Sequence, residues 1–186
     1  MKKLLIKSAV KTRFLLTGRN RASDQIRQLM EQYLSLVQTI EPEAGRRPVR
    51  VPPMLGVDED MRDWSFFMIL EHNVIVNRSI TAIVQRLARG EKPMGSGDMD
   101  PKKDVMPSAD PGEEQIQAFR ASVETHLENV SRLPRLRSTP TSRHPIFGQL
   151  NAHGWHCMFG LHLGIHRKQA EFVIRTINQG PEVHGG

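Results

Sequence analysis

Two histidines, His162 and His166, stand four residues apart in the stretch Leu161-His-Leu-Gly-Ile-His-Arg-Lys-Gln169. On a helix this spacing stacks both imidazoles on one face, with β-carbons roughly 6 Å apart. The same face carries Trp155, Met158, Phe159, Ile165, Gln169 and Val173. The pair therefore falls on an apolar stripe, where each unpaired polar group costs about 1 to 3 kcal/mol. A bound divalent metal is one way to meet that cost. A third histidine, His72, lies in the middle of another helical stripe made by Trp64, Met68, Ile69, Ile75, Val76, Ile80, Ile83 and Leu87. Facing helices about 8 to 10 Å apart would bring it onto the pair. Three neutral imidazoles roughly 2 Å from an ion, with a fourth position open, hold catalytic zinc in many enzymes, and nickel or iron accepts the same donors. The plainer reading is that the chain has eight histidines, so one such pair arises readily by chance. A core histidine is also often satisfied by a neighbouring side chain or water.

Four amphipathic segments are available to position these residues. Ile26, Leu29, Met30, Tyr33, Val37 and Ile40 recur at helical spacing, with Asn20 or Ser23 as the expected cap. A second helix is expected from just after Asp58, Glu59 and Asp60 to Gly90. The third covers Glu113 to Leu133, and the fourth runs from an Asn151 cap to Gln179, where Gly180-Pro181 stops it. Between them lie a Pro-rich connection, a long loop from Glu91 to Gly112 that suits a pocket mouth, and a loop from Pro134 to Gln149. The predicted fold is all-α, a four-helix bundle over residues 21–180. A basic segment, 1–20, precedes it and a short tail, 181–186, follows. His126 reads as solvated at the edge of the third stripe; His153, His156 and Cys157 fall off the fourth, Cys157 as a packing residue. The Asp98, Asp100, Asp104 spacing lacks the glycine and glutamate of a calcium loop.

Composition excludes several classes. One cysteine rules out an internal disulfide and a cysteine-based zinc site, and a reducing, cytoplasmic setting is the default. The net charge of +6 is concentrated at the N-terminal end: residues 1–50 carry +7 and the remainder −1. Such an excess attracts acidic partners, but no nucleic-acid-reading motif accompanies it, so nucleic acid is not the expected partner. Lys7, Lys11 and Arg13 interrupt the N-terminal apolar run, which argues against a secretory signal. No stretch is long and apolar enough to span a bilayer.

The segments Trp64-Ser65 to Glu71-His72-Asn73, the turn His144-Pro145-Ile146-Phe147-Gly148, and Trp155 followed by His162-Leu-Gly-Ile-His166-Arg-Lys-Gln169 resemble the DinB/YfiT-like superfamily. More narrowly, they are similar to a branch of uncharacterised proteins with a His-Pro-x-Phe-Gly turn before the histidine helix. The resemblance covers most of the chain from about residue 20. It implies an up-down-down-up bundle and a divalent metal (zinc, nickel or iron) held by His72, His162 and His166. Gln169 takes the place of a frequently polar family residue that braces the ligands. The resemblance also implies a small-molecule substrate, pairing as a homodimer, and a transferase activity that uses a low-molecular-weight thiol as cosubstrate.

A metal with an open position lowers the pKa of a bound thiol, or activates water for hydrolysis. Arg46, Arg47, Arg50, Arg135 and Arg137 would receive the carboxylates of such a thiol. No general base stands out, since Glu71 faces about 100° away from His72 on the helix and Glu171 lies off the stripe. Three functions follow from the sequence: a metal-dependent thiol transferase or hydrolase, a non-catalytic or stress-related metal-binding bundle, and a bundle whose basic N-terminus binds an acidic partner.

Overall fold

The computed structural model describes residues 2–91, 104–137 and 139–180. Asp98 and Asp100, like the tail at 181–186, lie outside them. Helix α1 spans Lys2–Leu16, α2 Arg19–Val37, the short α3 Pro42–Gly45, α4 Phe66–Ala88, α5 Glu114–Arg132 and α6 Ala152–Gln179. Two strands, β1 (Ser142–His144) and β2 (Gly148–Leu150), form an antiparallel hairpin.

The boundaries follow local chemistry. Ser65 accepts a hydrogen bond from the Met68 N–H and starts α4, while the acidic group expected to open that helix forms a separate 3-10 turn at Glu59–Met61. Asn151 caps α6 through the Gly154 N–H at 2.9 Å. At α2 the capping position falls to Gly18, with no side-chain bond. Asn20 and Ser23 are thus inside the helix, and Ser23 is released for a tertiary contact.

Helix α6 packs between α2 and α4, and α5 packs against both α2 and α4, giving the ring α2, α6, α4, α5. Directions follow from contacts. Ser23 meets His156 and Tyr33 meets Leu163, so α2 and α6 run parallel. Asn77 meets Ser122 and Thr81 meets His126, so α4 and α5 run parallel. Arg19 donates to the Val130 carbonyl while the Tyr33 ring packs tilted against that of Phe119, centroids 4.8 Å apart, so α2 and α5 are antiparallel. The arrangement is up-down-down-up. Its core is filled by Ile26, Tyr33, Phe66, Phe67, Phe119, Phe159 and Leu163, all nearly inaccessible, each contributing about 1.5 to 3 kcal/mol by leaving water.

Three connections shape one end of the bundle. The segment before α4 folds back on itself through Val51 N–H to Arg62 C=O at 2.8 Å, which sets Met61 and Trp64 against α6. The 134–149 segment, expected as an irregular loop, contains the hairpin. Its turn is held from inside by His144, whose Nδ1 accepts the N–H groups of Ile146 and Phe147, and Gly148 supplies the positive φ of 71° that a side chain would resist. Finally, α1 lies on α6, and Arg137 donates to the carbonyls of Leu15 and Thr17 at the end of α1. A cation there offsets the helix dipole.

Candidate metal centre

His72 of α4 and His162 and His166 of α6 converge, with one nitrogen from each lying within 4.8 Å of the others. His72 Nε2 and His162 Nε2 are 3.1 Å apart. A tetrahedral ion with bonds near 2.0 to 2.1 Å sets its donors about 3.3 Å apart, close to the spacing of His72 and His162. Three close histidines placed in this way are able to hold a metal ion.

The outer nitrogens determine which atoms are presented. His72 Nδ1 lies 2.7 Å from the Val105 carbonyl and donates to it, leaving Nε2 bare. His166 Nδ1 donates to Gln169 Oε1 at 2.8 Å, and Gln169 Nε2 in turn donates to the Met61 carbonyl at 2.6 Å. Gln169 is therefore locked between a ring and the backbone, and its fully buried amide fixes the tautomer of His166. His162 Nδ1 is shielded from solvent and has no hydrogen-bond partner among the described residues. Burial pushes the pKa of His72 down and that of His166 to about 3. His162 is held well below the usual range by burial and by its histidine neighbours. All three are neutral at pH 7, the form that binds metals.

Access is one-sided. His72 and His166 are each 2% exposed, while His162 is only half-buried. Trp64 roofs the inner side, its ring 4.9 Å from His72 and 6.3 Å from His166. Glu71, the nearest carboxylate in sequence, accepts from the N–H and hydroxyl of Ser108, both at 2.8 Å. It anchors the loop that brings Val105 to His72, so part of the 91–112 connection does reach the site. Glu171 pairs with Arg167.

A second histidine cluster was not legible in the sequence. His126, expected to be solvated, has no accessible surface, and neither has His156. Thr81 Oγ1 meets His126 Nδ1 at 2.9 Å, His126 Nε2 meets His156 Nδ1 at 3.0 Å, and His156 Nε2 meets Ser23 Oγ at 3.2 Å. One residue from each bundle helix enters this row. His153, also off the metal face, contacts the carbonyls of Phe14 and Thr17 and lies 3.5 Å from Cys157 Sγ. Cys157 is buried and its thiol is pushed up to about 11, which suits packing.

The arginines expected to receive carboxylates are mostly engaged elsewhere. Arg46 pairs with Asp110, Arg50 bridges Glu59 and Asp63, and Arg137 closes α1.

Comparison with known proteins supports the architecture. The fold is a four-helix bundle. The solved structure of TT2238, a four-helix bundle protein, is similar to this chain with a TM-score of 0.58 and 21% identity, over 82% of this chain and 98% of that one. No protein-family model matches the sequence, and neither does any curated protein. Among the described residues, no helix is long and apolar enough to cross a membrane.

Proposed function

We propose that the chain is a DinB-like metalloprotein that binds one divalent transition metal through Nε2 of His72, His162 and His166, and acts as a thiol-dependent transferase. The observation that carries this reading is the convergence of three neutral imidazoles on one point, two of them with the inner nitrogen left bare by an outer hydrogen bond. Three protein donors leave a coordination position for substrate, and the half-buried His162 marks the open side.

Thiol chemistry is favoured over hydrolysis by the position of Glu71. Hydrolysis calls for a base to take the proton of water, and the carboxylate beside His72 is already committed to Ser108. A bound metal ion would lower the pKa of a thiol enough to give a thiolate at neutral pH without such a base. The residues of the chain would bind and orient: Gln169 and Val105 hold the rings, and Trp64 excludes water from their inner side.

Elemental analysis of untagged protein tests the first part. About one divalent ion per chain is expected in the wild type, and its loss in both His72→Ala and His162→Ala. No metal after incubation with zinc, nickel or ferrous iron would overturn the reading. For the second part, the loaded protein should conjugate a low-molecular-weight thiol to members of an electrophile panel.

A further inference from the structure

Along the face of α6 that carries His162, the described residues include buried ring nitrogens with no hydrogen-bond partner. Trp155 lies in the first turn of α6, buried, and its Nε1–H has no partner among the described residues. His144, in the hairpin, packs its ring 5.2 Å from that of Trp155. Because His144 Nδ1 accepts two backbone N–H groups, the neutral ring must carry its proton on Nε2, which makes Nε2 a donor. Two turns along α6 from Trp155 comes His162, whose unpartnered Nδ1 becomes an N–H donor once Nε2 is turned to a metal. Trp155 and His162 are seven residues apart and so share one face of α6, with the hairpin's His144 packed against the Trp155 end of that face.

All three groups donate and none accepts, so the matching ligand is an acceptor-only group. A carboxylate is such a group. Charge points the same way, since a divalent ion on three neutral imidazoles leaves two positive charges, and the cluster contains no carboxylate to balance them. The ligand completing the site is therefore anionic.

We infer that His144 Nε2–H and Trp155 Nε1–H form a carboxylate-binding recess beside the triad, so that the cosubstrate is a thiol acid, with its sulfur at the metal and its carboxylate on these donors. The inference rests on the metal reading above. It replaces the loop arginines as carboxylate receptors with two neutral donors on the hairpin and α6.

The test uses cobalt-loaded full-length protein titrated with 3-mercaptopropionate and with its neutral counterpart 3-mercaptopropan-1-ol, followed by the thiolate-to-cobalt absorption band. In the wild type the acid is expected to bind roughly tenfold more tightly than the alcohol, the scale of a charge-assisted hydrogen bond. Trp155→Phe keeps an aromatic ring and should abolish most of that preference. His144→Asn retains an acceptor for the two turn N–H groups but loses the distal donor, and should do the same. His144→Gln, whose amide reaches the place of Nε2, should restore it. Equal affinities for the two thiols in the wild type would overturn the recess, as would a preference unchanged in both Trp155→Phe and His144→Asn while cobalt occupancy stays normal. Failure to take up cobalt, measured separately by elemental analysis, would remove the metal reading and the recess together.

Discussion

Among the described residues, two histidine clusters share α6, one completed from α4 and the other drawing on all four bundle helices, and they differ in how their nitrogens are used. In the row Ser23, His156, His126, Thr81, each ring nitrogen meets the next group head to tail, and the Thr81 hydroxyl lies 2.7 Å from the Asn77 carbonyl at the end. That row is closed and needs nothing from outside. In the triad the outer nitrogens of His72 and His166 are pinned outward and the inner ones face one another. At most a single proton can be shared between His72 and His162 across 3.1 Å. The remaining lone pairs are free to receive a cation. Burial is common to both clusters; what separates them is the direction of their hydrogen bonds.

The largest effect expected from this difference is on thermal stability with metal. Zinc at a thousandfold excess over its dissociation constant adds about 4 kcal/mol, which for a chain of this size raises Tm by roughly 10 °C. His162→Ala should lose that shift, whereas His126→Gln should start from a lower Tm and keep it. Calorimetry with and without zinc reads both.

Next comes pH. Burial pushes His156 down to about 4 and His126 well below its ordinary value. The unfolded chain binds protons near pH 6.5 and the folded one does not, so stability is fully present above about 6.5 and falls as pH drops toward 4. The His156 contribution over that window is roughly 3 kcal/mol. In denaturant titrations of metal-free protein, His156→Gln should be less stable at pH 7 and show a shallower loss on acidification.

Removal of the Gln169 amide in Gln169→Leu leaves His166 Nδ1–H and the Met61 carbonyl unpaired, at a cost of about 2 kcal/mol. Metal affinity should fall 10- to 100-fold by the loss of an outer partner alone. Ser23→Ala is the smallest change. It removes only the half-buried end of the closed row and should cost about 1 kcal/mol or less, with no effect on metal; a larger loss would mean the row depends on its outer end.

Val123, Leu127 and Val130 recur at helical spacing, which places α5 but does not show how much of it is covered. Because α5 touches both α2 and α4, its buried arc extends past the apolar stripe to Ser122 and His126, which meet Asn77 and Thr81. A search for apolar residues at helical spacing passes over a polar seam of this kind. His156 was rightly turned away from His162, yet α6 is covered on the α2 side as well, so the other direction was not solvent. The convergence of His72 with His162 and His166 was readable because all three lie on apolar stripes. The support from Val105 and Met61 was not, because backbone carbonyls leave no signature in side-chain type. The hairpin escaped notice because strands of three residues are too short to show alternation.

The parallel pairing of α2 with α6 has a consequence for the order of assembly. Ser23 and Tyr33 find their partners 133 and 130 residues later in the chain, and loop closure over such separations makes folding slow. During synthesis His72 emerges long before His162 and His166 exist. The histidine triad and the closed histidine row both wait for the last helix, so an ion taken up by the triad would not template the early stages of folding. It would stabilise only a bundle whose helices have already met.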